Sequence, residues 1–189
     1  MIKRLRPRHS DETLAELYTK PYDSTKWDEH TNRVSWTVER LNLFLKAHPE
    51  IITAIDLSCG DGRLLREVVG PVNKIYGDIA NASHVNIVGD IYENIEKTFG
   101  DLFICSETLE HLDDPRHILS RSADKFKWLC LTTPLGEWDT EKNYEHYWGW
   151  DLWGISELLD EAGWAPRWID TFNQPYYTYQ FWIARSMWD

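Results

Sequence analysis

The sequence predicts an α/β protein with a doubly wound, mostly parallel sheet of seven strands that ends in an antiparallel hairpin. Three observations carry this prediction. Strand-like and helical segments alternate through the middle of the chain, a glycine turn follows the first strand, and the last two strand-like segments are separated only by a short turn. Such alternation is typical of a parallel sheet that has helices on both faces.

Two helices are predicted before the first strand. The first covers Ser10–Lys20, with a serine N-cap and a proline after its end. The second covers Trp27–His48, where apolar residues recur on one face. We therefore expect a single domain in which residues 1–50 form a helical segment and residues 51–189 form the core.

The core is predicted to alternate between strands and helices. The predicted order is strand Ile51–Leu57, helix Arg63–Val69, strands Lys74–Ile79, His84–Val88 and Asp101–Cys105, helix His117–Ser122, strand Trp128–Thr132, helix Leu152–Ala162, and hairpin strands Ala165–Phe172 and Tyr176–Ala184. Ligands of such sheets bind at the carboxyl ends of the strands. The residues that follow each strand are therefore the candidates for a binding site.

Composition narrows the class of protein. With 189 residues, 42% of them hydrophobic and 27% charged, the chain fits a soluble globular domain. Its net charge of −11 argues against a nucleic-acid partner, because such proteins usually present a basic face. The basic run Lys3, Arg4, Arg6 and Arg8 is the exception, and we expect it to be a solvated, flexible tail.

The three cysteines and the lengths of the apolar runs indicate the cellular compartment that we expect for the protein. Cys59, Cys105 and Cys130 form no CxxC pair, so we expect buried free thiols rather than a disulfide or a zinc site. No apolar run is long enough to span a bilayer, and the first residues do not resemble a secretory signal. The expected location is the cytoplasm, without a membrane partner.

A glycine loop follows the first predicted strand. The strand ends at Asp56, and Ser58, Gly60 and Gly62 lead into a helix. Glycine lets the backbone approach a ligand closely, and the start of the helix offers unpaired amide groups. The loop lacks the third glycine of the dinucleotide fingerprint and the lysine of the P-loop. It therefore suits a ligand that carries an ammonium group and a ribose.

Acidic residues end the next two strands. Asp78 lies about twenty residues beyond the glycine loop, where a carboxylate can accept two hydrogen bonds from ribose hydroxyls. Asp90 and Ile91 follow the third strand and could meet an adenine amino group and its ring. Aspartate also forms turns, so the signal lies in the joint occurrence of these residues.

An ordered set of motifs carries a family resemblance. From residue 51 to residue 185 the chain contains, in order, DLSCGDGR, YGDI, VGDI, GDLFICSETLEHLDDP and LCLTTP. This set resembles the class I S-adenosylmethionine-dependent methyltransferases, and within them the subgroup that carries the Glu-His-Leu run. The resemblance implies a Rossmann-like fold and S-adenosylmethionine as cofactor.

The resemblance also implies which residues bind the cofactor. It assigns the methionine part to Asp56 and the glycine backbone, the ribose to Asp78, and the adenine to Asp90 with Ile91. The full candidate set is Asp56, Ser58, Gly60, Gly62, Asp78, Ile79, Asp90, Ile91 and Ser106. The family usually has glycine where Ser58 stands, so the path of the loop can differ here.

The catalytic candidates follow the fourth strand. Methyl transfer from a sulfonium needs alignment and, for a hydroxyl or amine acceptor, a group that takes the proton. Glu107, Glu110 and His111 can share one face of a helical turn, and His111 is the candidate base. The alternative interpretation is that this stretch serves cofactor binding and helix packing.

A metal-dependent alternative rests on a fourth residue. Glu107, Glu110 and His111, together with His146 before an aromatic WGWD run, resemble the RNA 3′-terminal 2′-O-methyltransferases, whose metal is held by two Glu and two His. Small-molecule methyltransferases of the ubiquinone-biosynthesis type carry a similar run without an established need for this metal cage. The acidic net charge favours the small-molecule interpretation, so we predict no metal.

We predict a methyltransferase that acts at oxygen or nitrogen of a small or nucleotide-like acceptor. The alternatives are the metal-dependent RNA-end enzyme and a non-catalytic subunit that binds cofactor. Aromatic residues are expected to face the acceptor, namely Tyr144, Tyr147, Trp148 and Trp150. The segment Tyr18–His30 is expected to form a lid over the strand ends, with a fixed packing segment as the alternative. The sequence leaves the oligomeric state open.

Overall fold

The computed structural model describes residues 1–71 and 73–188. The strands within these residues are β1 Ile2–Arg4, β2 Thr53–Asp56, β3 Asn73–Asp78, β4 Ile87–Val88, β5 Gly100–Ser106, β6 Phe126–Pro134, β7 Trp148–Trp150, β8 Trp164–Asn173 and β9 Thr178–Ser186. The helices are α1 Asp11–Leu17, α2 Asp28–Ala47, α3 Arg63–Glu67, α4 Ile91–Lys97, α5 Pro115–Ala123 and α6 Leu152–Glu161, with a 3₁₀ turn at Leu109–His111.

Seven strands form the central sheet in the order β4-β3-β2-β5-β6-β9-β8. The first five of these run parallel, and β9 is antiparallel to both β6 and β8. Asp56 pairs with Tyr76 on one side and with Ile104 on the other, so β2, β3 and β5 end at the same edge. The predicted seven-stranded sheet with a C-terminal hairpin is confirmed.

Helices cover both faces of the sheet. On one face, Leu41 of α2 and Leu65 of α3 pack with Ile104 of β5. On the other face, α4, α5 and α6 pack against the sheet through buried apolar residues such as Ile118 and Leu158. Burial of apolar side chains on both faces is the main favourable term for this layered arrangement, and it gives the doubly wound architecture.

The predicted helices and strands are present, with shifted ends. Ser10 caps α1 by accepting a hydrogen bond from the Thr13 amide, but α1 ends at Leu17, before the proline. The third predicted strand is shorter than expected, because only Ile87–Val88 pairs with β3. Sequence analysis missed α4, whose N-cap is Asp90: its carboxylate accepts from the Tyr92 amide at 2.7 Å.

The prediction of a solvated N-terminal tail is wrong. Residues Ile2–Arg4 form β1, which pairs antiparallel with β7. The α-amino group of Met1 lies 2.6 Å from an Asp151 carboxylate oxygen, and Arg4 pairs with Asp113. Surface ion pairs with Asp151 and Asp113, together with strand pairing along the edge of β7, therefore order a basic segment that looks like a tail in isolation.

Two of the four aromatic residues expected to face the acceptor lie in the core instead. Tyr147 and Trp150 are 2% and 1% exposed. Trp148 is half-buried, and its indole N–H donates to the Leu112 carbonyl at 2.8 Å. Tyr144 is exposed. The expectation is wrong for Tyr147 and Trp150: Trp150 of β7 packs in the core with residues of α6 and the sheet, and Tyr147 is covered by His9 and Arg4 of the N-terminal segment.

The cysteines agree with the expectation of free thiols, although only two of the three are buried. All three cysteines have free thiols: Cys105 and Cys130 are buried in the neighbouring strands β5 and β6, and Cys59 is half-buried. Across residues 1–71 and 73–188, no helix combines the length and the apolar character needed to cross a membrane.

Candidate active site

The glycine loop connects β2 to α3 at the carboxyl edge of the sheet. Gly60 and Gly62 have φ of +54° and +70°, the left-handed region that glycine adopts without steric cost. A Cβ on Gly60 would lie 3.0 Å from the Tyr22 carbonyl oxygen, so the segment before α2 also needs glycine here.

Asp56 and Ser58 fix the start of this loop. The Ser58 amide donates to Asp56 Oδ1 at 3.0 Å, and the Ser58 hydroxyl lies 2.7 Å from that of Thr108 after β5. Serine in place of the usual glycine thus ties the cofactor loop to the neighbouring strand end. Burial and the nearby Asp78, opposed by the hydrogen bonds from Ser58, together raise the pKa of Asp56 to about 7.

Asp78 holds the glycine loop against the end of β3. Its Oδ2 accepts from the Gly60 amide and its Oδ1 from the Ala80 amide, both at 2.8 Å. Burial raises the pKa of Asp78. Each carboxylate oxygen has a second lone pair, so Asp78 can accept from a ligand as well. Ile79 is half exposed next to it.

Asp90 and Ile91 complete the cofactor side of the edge. Asp90 is exposed at the start of α4, and Ile91 is buried beside it. Asp90 therefore serves as a helix cap in this structure, a role that sequence analysis did not give it. Ser106 at the end of β5 faces β6, where its hydroxyl lies 2.8 Å from that of Thr132.

The catalytic candidates lie on the turn that follows β5. Glu107 has φ of +50°, a strained conformation for a residue with a Cβ, and its amide donates to the Thr132 carbonyl. Glu110 is buried, and its Oε2 accepts from the Thr133 hydroxyl at 3.0 Å. That hydroxyl in turn accepts from the Trp150 indole at 2.9 Å. Buried Trp150 thereby positions a site residue.

His146 reaches this turn from the loop before β7. The Tyr147 amide donates to the Glu110 carbonyl at 2.7 Å and docks the loop there. The rings of His111 and His146 lie 4.7 Å apart at an interplanar angle of 86°. One ligand atom each from Glu110, His111 and His146 lies within 4.8 Å of the others. The structure thus brings together three of the four candidates in a compact group.

Glu107 lies beside this group and faces a residue that sequence analysis missed. Arg33 of α2 is buried, with Nη1 3.6 Å from Glu107 Oε1 and its guanidinium 5.5 Å from the centre of the Tyr179 ring. A charged residue next to the apolar stripe of α2 was the signal that could have found Arg33. Glu137, which contacts His146, carries no comparable signal.

Several buried polar atoms of the site make no hydrogen bond within the described part of the chain. Glu107 Oε1, Glu110 Oε1 and His111 Nδ1 are buried and find no hydrogen-bond partner among the residues that the structure describes. Buried polar atoms are nearly always hydrogen-bonded in folded proteins. Their concentration here indicates a place where an acceptor, a water or an ion completes the site.

The electrostatics of the site favour neutral groups. Burial lowers the pKa of His111 well below its usual value, and the nearby His146 lowers it further. Burial raises the pKa of Glu110 well above its usual range, and Glu107 adds to this. Burial also raises the pKa of Glu107, against the attraction of Arg33. The imidazole of His111 is therefore uncharged near neutral pH and can accept a proton.

The segment between α1 and α2 covers the glycine loop. The amide and hydroxyl of Ser24 donate to Asp61 Oδ2 at 2.8 and 2.7 Å. Ser24 is buried, and the Tyr22 carbonyl lies against Gly60. The segment forms most of the predicted lid, whose last residues lie in the first turn of α2, and it contacts the cofactor loop directly.

The strand order, the glycine loop and the carboxylates at the strand ends define a Rossmann-like protein that binds a nucleoside-containing cofactor. The sequence profile described as "Methyltransferase domain" matches residues 27–168. The chain belongs to this family, and it is an S-adenosylmethionine-dependent methyltransferase. A search of curated protein sequences finds no match.

Solved structures share the fold at low sequence identity. The N-methyltransferase NodS from Bradyrhizobium japonicum WM9, in complex with S-adenosylhomocysteine, has a TM-score of 0.66 at 14% identity, over 85% of this chain and 89% of its own. The 1,6-didemethyltoxoflavin-N1-methyltransferase from Burkholderia thailandensis has a TM-score of 0.64 at 16% identity, over 98% and 94%.

A third structure, magnesium protoporphyrin IX methyltransferase from Synechocystis PCC 6803 with bound S-adenosylhomocysteine, has a TM-score of 0.62 at 15% identity, over 93% of both chains. These similarities extend over nearly the whole chain and concern the fold. The acceptors named for the second and third of these proteins differ from each other, so the fold does not fix the acceptor.

Proposed function

We propose that this enzyme transfers the methyl group of S-adenosylmethionine to an oxygen or nitrogen of a small or nucleotide-like acceptor. Asp56 would receive the cofactor ammonium, the Gly60 and Gly62 backbone would lie along the methionine part, and Asp78 would accept from the ribose hydroxyls. Asp90 would meet the adenine amino group, with Ile79 and Ile91 against the ring. In support, the three carboxylates follow three strands that end at one edge.

The acceptor would lie in front of the turn that carries Glu107, Glu110 and His111. The observation that carries this proposal is the unpartnered Nδ1 of His111, on a ring that burial keeps uncharged. Such a nitrogen can take the proton of a hydroxyl or amine as the methyl group arrives. Glu110, His146 and Glu107 would shape and orient the acceptor side.

A labelled-cofactor assay tests the role of His111. Transfer of a labelled methyl group from S-adenosylmethionine is measured against panels of hydroxyl and amine acceptors. We expect His111→Gln to lower kcat about 100- to 10,000-fold while the affinity for S-adenosylhomocysteine stays unchanged. The exposed His117 supplies the control, and His117→Gln should keep full turnover. Equal kcat for His111→Gln and wild type would refute the assignment.

A second candidate function uses a divalent cation. The convergence of ligand atoms from Glu110, His111 and His146, together with the unpartnered Glu110 Oε1, favours it. Imidazole and carboxylate ligands suit a cation that activates a hydroxyl, as in 2′-O-methylation at an RNA 3′ end. A cation at these residues would hold the acceptor oxygen and lower the pKa of its hydroxyl.

Metal titration separates the two candidates. If the cation is used, Mn²⁺ or Mg²⁺ should bind the wild type in calorimetry, Glu110→Gln should weaken this binding, and chelator should abolish turnover. If His111 acts alone, chelator should leave turnover unchanged. Glu96→Gln is a suitable control, because Glu96 lies at the surface near α5 and not at this edge.

The partners and location follow from the same considerations. We propose a small-molecule or nucleotide-like acceptor as the partner, supported by the net charge of −11. We also propose a cytoplasmic location, which the three free thiols support because reduced cysteines persist there.

A further inference from the structure

Glu137 lies outside every residue set that the sequence indicated, yet it contacts the site. It belongs to the loop between β6 and β7, and both Glu137 and His146 are buried. Glu137 Oε2 lies 2.7 Å from His146 Nδ1. The hydrogen bond between these two atoms fixes the ring, and its direction follows from a second contact.

The hydrogen bonds of the Asn143 side-chain amide show which nitrogen of His146 carries the proton. The Glu145 amide N–H donates to Asn143 Oδ1 at 2.9 Å, so the side-chain nitrogen of Asn143 points the other way. That nitrogen lies 2.9 Å from His146 Nε2. An amide NH₂ group only donates, so Nε2 must offer its lone pair. The proton of the neutral ring is therefore on Nδ1, from which it is donated to Glu137.

We propose that Glu137 is a positioning residue that holds His146 in the Nδ1–H tautomer and keeps Nε2 unprotonated. This inference rests on the proposed function insofar as His146 belongs to the acceptor side. With Nδ1 occupied by the Glu137 carboxylate, Nε2 is the nitrogen that can receive a proton or a cation once the Asn143 amide moves away. A carboxylate behind a histidine orients functional imidazoles in the same way.

The surroundings of the second carboxylate oxygen of Glu137 agree with a role in positioning His146. Glu137 Oε1 is buried and has no hydrogen-bond partner in the described part of the chain. Glu137 makes its one hydrogen bond to the site histidine, so its removal should leave the buried Nδ1–H of His146 without an acceptor and free the ring to change tautomer.

Nitrogen NMR of the histidine rings tests the tautomer directly. The free protein is labelled with ¹⁵N-histidine and measured near neutral pH in the presence of chelator, and the His146 signals are assigned by their loss in His146→Gln. In the wild type, we expect Nδ1 to show the shift of a protonated ring nitrogen and Nε2 that of an unprotonated one.

Two variants of Glu137 distinguish a role in positioning His146 from a general disturbance of the loop. Glu137→Ala removes the acceptor, so His146 should populate both tautomers or invert to Nε2–H, and kcat should fall about 10- to 100-fold. Glu137→Gln keeps a carbonyl oxygen as acceptor and should retain the Nδ1–H tautomer. The exposed Glu141 of the same loop is the control, and Glu141→Ala should leave the His146 signals unchanged.

Specific results would overturn the inference. Protonated Nε2 in the wild type would overturn it even if Glu137→Ala fails to fold. An unchanged His146 tautomer in folded Glu137→Ala would also overturn it, as would a changed tautomer with wild-type kcat. Failure of the proposed function is distinguishable, because it would appear as a lack of S-adenosylhomocysteine binding, whereas the NMR measurement contains no cofactor or acceptor.

Discussion

At the scale of single residues, Asp78 has two tasks that the sequence shows only in part. The strand-end position predicted a ribose acceptor, and the structure adds that the same carboxylate holds the amides of Gly60 and Ala80. Loss of this side chain should therefore both remove a ligand contact and loosen the glycine loop. A control residue that makes similar backbone hydrogen bonds away from the site is needed to separate the effect on cofactor binding from the effect on stability.

Asp78→Ala is expected to weaken S-adenosylhomocysteine binding by about 1–3 kcal/mol, because it removes an acceptor for the ribose hydroxyls. Calorimetry measures this loss. Asp101 provides the control: it also accepts two backbone amides, those of Ile52 and Thr53, but at the opposite edge of the sheet. Asp101→Ala should lower the melting temperature and keep the affinity. Equal affinity of Asp78→Ala and wild type would contradict the assignment.

The raised pKa of Asp56 predicts that cofactor binding depends on pH. Its pKa of about 7 means that the free protein holds a proton on Asp56 in mildly acidic solution. An arriving ammonium group favours the carboxylate, so binding must release this proton below pH 7. We expect the affinity for S-adenosylhomocysteine to rise up to tenfold per pH unit toward about pH 7 and then to level off.

Calorimetry in buffers of different ionisation enthalpy checks this release of a proton. Asp56→Asn should bind weakly and without the pH dependence. The stability of the free protein should also depend on pH. Because folding raises the pKa of Asp56, its contribution to stability is full below about pH 4 and is lost as the pH rises through about 7. Affinity that stays constant from about pH 5 to pH 7 would contradict a contact between Asp56 and the ammonium group.

At the scale of structural elements, the segment Tyr18–His30 contacts the cofactor loop directly. Ser24 donates hydrogen bonds to Asp61, and Tyr22 lies against Gly60. We propose that this segment closes over bound cofactor and excludes water from the sulfonium. The alternative is that it is permanently packed on the loop.

Hydrogen exchange distinguishes these alternatives. If the segment is a lid, its amides should become clearly better protected when S-adenosylhomocysteine is added, because closure orders the segment. Amides of β8, which lies at the far edge of the sheet, should not change. Equal protection of the segment with and without ligand would make it scaffold, and the acceptor pocket would then be closed by other elements.

The elements also indicate where sequence reasoning succeeds. The strands with continuous apolar runs were predicted because burial on both faces leaves a strong local signal. β1 and β7 were missed because each has three residues and forms only by pairing with the other across more than a hundred positions of the chain. Helix α4 was missed because it follows β4 immediately, so its Asp90 cap was interpreted solely as a ligand contact.

At the scale of the whole molecule, the ordered motifs predicted the sheet, its carboxyl edge and the cofactor. The catalytic side was only partly predictable. Glu107, Glu110 and His111 are close in sequence, whereas Arg33 reaches Glu107 through packing of α2, and Glu137 reaches His146 through the fold of the loop before β7. Contacts of this kind depend on how distant elements meet, and no local spacing encodes them.

The central claim is that cofactor and acceptor meet between the glycine loop and the turn that carries His111. A crystal structure of the protein with S-adenosylhomocysteine tests it most directly. The account predicts the ribose hydroxyls at Asp78, the amino group toward Asp56, and the sulfur facing the group of Glu107, Glu110 and His111. A ligand bound elsewhere, or a sulfur atom turned away from that group, would contradict the account.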